Sequence, residues 1–255
     1  MKKYIYKIGA FFLSLPFLGV TASCDDWFGI MPQSEMVAED FWKDEQDVKS
    51  AVGACYRAML EDGFMRRLIV WGELRSDNVI NGLGTDTEIG YILNANLNEA
   101  NSYCKWNDFY TVINYCNTMI QNAPMVRERD ADFTEEDLNH YLAEAKGIRA
   151  FCYFTLARTF KDIPYMETPY VDDTQRFQVE QTSFENVELL TCSGGTVEDV
   201  AVSDYGDTEA YNRGRITQKA IWALVADMSL WRGNYRQCVD YCNKILTTAT
   251  NPLSL

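Results

Sequence analysis

The sequence predicts a mainly α-helical protein with an α/α helical-repeat core and long irregular loops. Three observations predict this fold class. Apolar residues recur at spacings of three and four in several segments, which is the period of an amphipathic helix. Two such segments near the C-terminal end are joined by Gly233-Asn234, a pattern typical of a helical hairpin. Strand signals are few.

The first helix is predicted to begin after Asp44. Asp44 with Asp47 three residues later resembles a capping box, and Gly63 is expected to end the helix. The apolar residues between them recur at spacings of four and three: Val48, Val52, Cys55 and Met59. The pattern indicates an amphipathic helix with both terminal signals present.

Two longer helices are predicted in the middle of the chain. The first runs from Asn107 to Asn122 and is expected to end at Pro124, because proline cannot donate to the helical ladder. The second begins after Thr134, with Asp137 in the Glu position of a capping box, and Pro164 sets its limit. Each carries one continuous apolar stripe, which predicts that both pack into a common core.

The helical hairpin follows Thr217, which is predicted to cap its first helix. Its sequence from Ala226 to Leu246, with Gly-Asn-Tyr at the turn, resembles a tetratricopeptide unit. Cys238 takes the place where that repeat has a small residue. One such unit cannot bury its own apolar face, so we expect it to stack on the earlier helices. The stretches 78–106 and 165–213 are predicted to be loops, from their Asn, Asp, Gly and Thr content.

The N-terminal segment indicates export. Three lysines precede an apolar stretch over residues 8–20, which is too short to span a bilayer, since a transmembrane helix takes about 20 residues. Small residues at 21–23 precede Cys24. We therefore predict a lipoprotein signal peptide over residues 1–23, a lipid on Cys24, a tether over 24–43 and a helical domain over 44–255. The alternative is ordinary secretory cleavage after Ser23, without a lipid.

Charge and cysteine content exclude several function classes. The formal net charge is −14, and it becomes −17 when Lys2, Lys3 and Lys7 are removed with the signal peptide. Such an acidic chain is unsuited to nucleic acid or anionic lipid, which bind Lys/Arg patches. The cysteines after Cys24 include no C-x-x-C pair, and His140 is the single histidine. Neither a zinc site nor a complete disulfide framework is indicated, and no cofactor is expected.

Five stretches, in this order, resemble the SusD/RagB family of outer-membrane nutrient-binding lipoproteins. They are residues 24–56, Trp71–Asn78, the helix around Trp106 to Asn117, Tyr141–Phe154, and Gly214-Arg215. One departure is Lys161, which stands where the family usually has the glycine of a Gly-Asp-x-Pro turn. Relatives in this family run considerably longer, so the helical domain is expected to be incomplete at its C-terminus.

The resemblance implies a SusD-like, tetratricopeptide-like fold and a specific role. Such proteins sit on the cell surface, tethered to the outer membrane by lipid. They hold a nutrient, most often a glycan or oligosaccharide, for a SusC-like TonB-dependent outer-membrane transporter. The alternative is a tetratricopeptide scaffold on the envelope that binds only protein. A third possibility is a glycan-degrading enzyme.

The residues themselves favour binding over catalysis. His140 lies on a predicted helix with no glycine-framed nucleophile nearby, and no phosphate-binding glycine loop is present. Sugar recognition needs flat aromatic faces together with amides and carboxylates. The loop before Trp106 offers both, and the candidate ligand-binding residues are Asp77, Asn78, Asn81, Tyr91 and Trp106. The alternative for this loop is a polar surface in which Asp77 and Asn78 only cap a turn.

Overall fold

The computed structural model describes residues 41–76, 78–171, 179–183, 191–192, 195–206 and 208–248. From Trp42 onwards the chain forms one compact unit. Its α-helices are α1 (Glu45–Met59), α2 (Asp62–Glu73), α3 (Thr87–Leu93), α4 (Asn107–Arg129), α5 (Glu135–Phe160), α6 (Val197–Val200), α7 (Glu209–Gly214), α8 (Gln218–Trp231) and α9 (Tyr235–Thr248). Two antiparallel pairs of two-residue strands complete it: β1 (Ile163–Pro164) with β2 (Gln181–Thr182), and β3 (Thr191–Cys192) with β4 (Gly195–Thr196). The mainly α-helical fold is confirmed.

The core lies where α1, α4 and α5 pack against one another. The stripes predicted from the sequence face this core, and their central side chains are fully or almost fully buried: Val52, Cys55, Ile113, Cys116, Met119, Ile148 and Cys152. The cysteines behave there as small apolar residues, as is usual for buried free thiols. Burial raises the pKa of the Cys152 thiol, which therefore stays protonated at neutral pH.

The predicted start of α1 is confirmed, but its end is not where Gly63 was expected to place it. The Asp47 amide donates to Asp44 Oδ1 at 3.2 Å, and the capping box is complete. The helix ends at Met59, and Gly63 lies inside α2. A Cβ on Gly63 would lie 2.7 Å from Asp108 Oδ2. The glycine is therefore a close-packing residue, not a helix stop.

Pro124 does not end α4, which continues to Arg129. The proline is exposed, while Ala123 and Val126 extend the buried stripe beyond it. The last turn is also held from outside, because Arg129 donates to the Trp42 carbonyl at 3.2 Å. Tertiary packing therefore outweighs the one backbone hydrogen bond that the proline removes.

The hairpin of α8 and α9 is confirmed, with Gly233 at φ +74° in its turn. The Asn234 side chain caps α9 by accepting from the Gln237 amide at 3.3 Å. The predicted loop over 165–213 is only partly irregular, since it contains α6, α7 and strand residues of both pairs. Within the described ranges, no helix is long and apolar enough to cross a membrane.

A buried ionic network joins the hairpin side of the fold to the core. Glu144 on α5 is buried, and Arg215 donates to it from the chain before α8, with Nε 3.0 Å from Oε2. The Tyr56 hydroxyl on α1 donates to the same oxygen at 2.7 Å and accepts from the Ile216 amide at 2.7 Å. Burial and the Glu144 carboxylate raise the pKa of Tyr56 well above its usual range, so its hydroxyl remains a donor.

Lys161 adopts a backbone conformation that favours glycine. It follows α5 with φ +72° and ψ −86°, at the position where the related turn has glycine. A side chain in such a sparsely populated region stores strain of about 1–3 kcal/mol. Lys161→Gly is therefore expected to raise the free energy of unfolding by about 1 kcal/mol, after the greater unfolded-state entropy of glycine is subtracted. The measurement is urea denaturation followed by circular dichroism.

The matched control is Lys161→Ala, which removes the same charge but keeps the Cβ. We expect no gain from alanine. If both substitutions raised the free energy of unfolding equally, the gain would come from removing the charge and not from relieving backbone strain.

Candidate functional site

The stretch before Trp106, predicted to be a loop, is partly helical and well anchored. It contains α3, whose first turn is capped by Asp86, with Oδ1 accepting from the Glu88 amide at 3.0 Å. It also contains a 3₁₀ helix at Ser102–Cys104. Apolar side chains hold both pieces against α2, because Val70, Ile92 and Tyr103 form one buried cluster. The prediction of an irregular loop here is therefore wrong in part.

Polar side chains fix the stretch internally. Asn101 is buried, donates to the Glu88 carbonyl at 3.0 Å and accepts from the Tyr103 amide at 3.0 Å. The Glu88 carboxylate accepts from the hydroxyl and the amide of Ser102. These hydrogen bonds lower the pKa of Glu88, with the hydroxyl contributing most. Both residues therefore serve the local structure.

Side chains of α2 fix the stretch before Trp106 by hydrogen bonds. The Trp71 indole nitrogen donates to the Tyr103 carbonyl at 2.8 Å. Arg67 pairs with Asp108 on α4 and donates to the Ser102 carbonyl at 3.0 Å. The stretch is thus fixed to α2, and α2 is itself paired with α4, so the surface that the stretch presents is formed before any ligand binds.

These elements enclose a concave site that we call the aromatic cavity. Its volume is about 440 Å³, within the range usual for small-ligand sites. The lining residues come from the end of α2, the stretch before α4 and the end of α5: Val70, Trp71, Arg75, Ile92, Leu97, Asn98, Glu99, Tyr103, Cys104, Trp106, Thr159 and Phe160.

Three aromatic rings of this cavity are in contact through Phe160. Phe160 lies between the two tryptophans, with ring centroids 5.0 Å from Trp71 and 5.4 Å from Trp106. Trp71 is immobilised, because its ring also stacks on Phe109 at 4.8 Å and its indole nitrogen is already bonded. Trp106 is half-buried, and its indole N–H has no hydrogen-bond acceptor among the described residues. Trp106 is therefore the ring best able to meet a ligand with both its face and its donor.

The rim of the aromatic cavity carries three planar polar groups. Arg75, Asn98 and Glu99 are exposed, and in the part of the chain that the structure describes their side chains form no hydrogen bond or ion pair. A guanidinium, an amide and a carboxylate together supply the donors and acceptors that match neighbouring hydroxyl groups. Apolar faces with hydroxyl-binding groups at their edge are the two features that a sugar ring requires.

Glycoside hydrolysis generally uses a pair of carboxyl groups about 5–9.5 Å apart. Among the described residues that line the aromatic cavity, Glu99 is the one carboxylate. Over those residues, no group of three or more His, Cys, Asp and Glu side chains could hold a metal ion.

The structure separates the ligand-binding residues predicted from the sequence. Trp106 lines the aromatic cavity. Asn78, Asn81 and Tyr91 are exposed and do not line it. Asp77 lies outside the described residues, as does Cys24, the predicted site of lipid attachment.

Sequence reasoning missed most of the cavity. Trp71 and Arg75 occur in a stretch that was recognised only as a family resemblance, and their sequence spacing gives no sign that they face a ligand site. Phe160 ends a helix more than eighty residues further along the chain. Only the packing of α2 and α5 against α4 brings it there.

Comparisons with known proteins identify the family. The model of the SusD-like_3 family, described as "Starch-binding associating with outer membrane", matches residues 32–255. The chain belongs to this SusD-like family. A curated relative, SusD-like protein P38 of Formosa agariphila, is 33% identical over 178 residues, which cover 68% of this chain and 33% of that protein.

Solved structures of SusD proteins share the fold. A SusD superfamily protein from Bacteroides thetaiotaomicron matches with a TM-score of 0.67 and 21% identity, over 81% of this chain and 48% of that one. A protein described as a laminarin-binding SusD-like protein matches with a TM-score of 0.65 and 20% identity, over 82% and 45% of the two chains. The present chain therefore spans between a third and a half of the SusD-like proteins named here.

Proposed function

We propose that this SusD-like protein binds a glycan or oligosaccharide in the aromatic cavity and delivers it to a TonB-dependent outer-membrane transporter. The observation that carries the proposal is the cavity itself. Within the described part of the chain, Trp106 offers a half-buried ring and an indole N–H without an acceptor, and the side chains of Arg75, Asn98 and Glu99 at the cavity edge form no hydrogen bond or ion pair.

Two physical arguments support a sugar as the ligand. The C–H face of a pyranose is apolar, so covering it with an indole ring removes apolar surface from water on both partners. Its hydroxyls can replace the water that now solvates the rim side chains, so no polar group need be left unpaired on binding. The description of the family as starch-binding points to the same chemical class.

The proposal includes binding without turnover. Glu99 can accept hydrogen bonds from sugar hydroxyls, and among the described residues that line the cavity no second carboxylate accompanies it as the other acid or base of glycoside hydrolysis. The proposed role is accordingly capture and hand-over of an intact glycan to the transporter.

The proposal also includes the place of action. We place the mature protein on the outer membrane, facing outwards and anchored through lipid on Cys24. A diacylglycerol with an amide-linked chain would satisfy the rule that stable anchoring takes more than one acyl chain. The family description associates its members with the outer membrane.

Location and partner can be tested together in cells that express the protein from its own locus. The wild-type protein is expected in the washed outer-membrane fraction. After extraction in mild detergent, it should co-purify with a large TonB-dependent barrel in near-equal amount, measured by mass spectrometry. Cys24→Ala is expected to leave the membrane fraction.

Cys238→Ala is the matched control, because it changes another cysteine far along the chain and should stay in the membrane. Recovery of soluble proteins alone with the wild type would contradict the transporter partnership and favour a protein-binding scaffold. A Cys24→Ala variant that has lost its signal segment but stays in the membrane would contradict the lipid anchor.

A further inference from the structure

A second cavity lies along the first turns of α4, and we call it the tyrosine cavity. Its volume is about 660 Å³, larger than the aromatic cavity. Side chains of α4 and of the chain after β1 line it, chief among them Tyr110, Asn114, Tyr115, Met166 and Tyr170. The proposed function assigns it no role.

The walls of the tyrosine cavity are fixed by hydrogen bonds. Asn114 makes two bonds to the backbone of Tyr170, donating to its carbonyl at 3.1 Å and accepting from its amide at 2.6 Å. The Tyr110 hydroxyl donates to the Pro164 carbonyl at 2.6 Å. A cavity held in this way need not reorganise to accept a ligand, so little of the binding energy is lost to ordering.

Tyr115 lines this cavity but makes few contacts that stabilise the fold. It is 46% exposed, and among the described residues it has no hydrogen-bond partner. A large aromatic side chain that packs so little contributes little to stability. Its ring and hydroxyl remain available to a ligand in the way that sugar-binding aromatic residues require.

The linings of the two cavities include residues that are adjacent in the sequence. Trp106 lines the aromatic cavity, and the next residue, Asn107, lines the tyrosine cavity. The rings of Trp106 and Tyr110, one from each lining, have centroids 6.2 Å apart, a separation comparable with the length of one sugar unit. One ring of each lining therefore lies beside a ring of the other, and a linear chain of sugars that passes Trp106 in this direction would meet Tyr110 next.

We propose that the ligand is an oligosaccharide long enough to run from the aromatic cavity across the first turn of α4 into the tyrosine cavity. There Tyr115 contacts sugar units beyond those that Trp106 holds. This inference rests on the proposed function, because it extends the same glycan from the same site. The affinity of the protein would then depend on chain length, with long oligosaccharides bound more tightly than disaccharides.

The test compares affinities along a series of chain lengths. The full chain is first applied to a glycan array that carries malto- and laminari-oligosaccharides from disaccharide to decasaccharide, among other glycans. Calorimetry then gives the affinity for each length of the series that binds. For the wild type, we expect the long members to bind about tenfold more tightly than the disaccharide, the size of one good aromatic contact.

Tyr115→Ala should abolish this gain while leaving the affinity for the disaccharide unchanged. The matched control is Tyr235→Ala, which removes an even more exposed tyrosine from α9, on neither cavity. That variant should keep the wild-type dependence on length.

The possible failures are distinguishable. If the wild type binds no glycan on the array, the proposed function falls and the inference with it. If glycans bind with the same affinity at every length, or Tyr115→Ala weakens all lengths equally or none, only the inference is overturned. Loss of a co-purifying protein from Tyr115→Ala, with glycan affinities unchanged, would assign the tyrosine cavity to a protein partner instead.

Discussion

Trp106→Ala is expected to weaken glycan binding by about 30-fold or more, at every chain length. Trp106 lines the aromatic cavity with a half-buried ring, and its indole N–H has no acceptor among the residues that the structure describes. Loss of a central aromatic anchor typically costs 2 kcal/mol or more, which corresponds to about 30-fold in affinity. Calorimetry with the tightest glycan identified on the array measures the change.

The matched control for this prediction is Trp231→Ala, since Trp231 is 55% exposed at the end of α8 and lines neither cavity. The affinity of Trp231→Ala for the same glycan should equal that of the wild type. Circular dichroism must show unchanged helicity for Trp106→Ala, because the ring also contacts Phe160. A correctly folded Trp106→Ala protein that binds as tightly as the wild type would exclude the aromatic cavity as the site.

Arg215→Met is expected to lower the free energy of unfolding by about 3–5 kcal/mol, the largest stability effect we predict. The substitution leaves the Glu144 carboxylate buried without its counter-charge, and an uncompensated buried charge is costly. It also removes a guanidinium that lies 4.3 Å from the centroid of the Tyr205 ring. Guanidinium denaturation with linear extrapolation measures the loss.

Arg213→Met provides the control two residues away. Arg213 pairs with Glu209 on α7, but both side chains are at least 75% exposed, so the pair should contribute well under about 1 kcal/mol. The double variant Glu144→Gln/Arg215→Met should recover part of the stability, since it removes the unpaired charge. Equal destabilisation by Arg215→Met and Arg213→Met would show that the Glu144 pair does not hold the fold together.

Helical elements were the part of this structure most open to prediction. The start of α1, the stripes of α4 and α5 and the hairpin of α8 with α9 follow from capping residues and a helical period, which are local properties of the chain. The errors at Gly63 and Pro124 have a common cause. At both positions the local rule is outweighed by a neighbour, Asp108 in one case and the buried Ala123 and Val126 in the other.

The candidate site was much less predictable. Trp106 was predicted as a ligand-binding residue from its place beside a polar stretch, and it lines the aromatic cavity. The sequence could not show which amide and carboxylate side chains of that stretch are structural and which face a ligand. An Asn that anchors a turn and an Asn that faces a ligand have the same sequence signature. Asn101 is buried and holds the 3₁₀ helix, whereas the Asn98 side chain is exposed on the rim and makes no hydrogen bond to any described residue. Only their surroundings tell them apart.

What the sequence by itself determined is the helical class and the family resemblance, because helical period, capping residues and short motifs are written in residues close together along the chain. What only the tertiary structure decided is which distant residues meet. Glu144 and Arg215 lie in two separate motifs, yet they form one buried pair. Phe160 joins Trp71 and Trp106 around a cavity in the same way. Such pairings depend on how the helices pack, and packing energy is shared among many residues that no local pattern specifies.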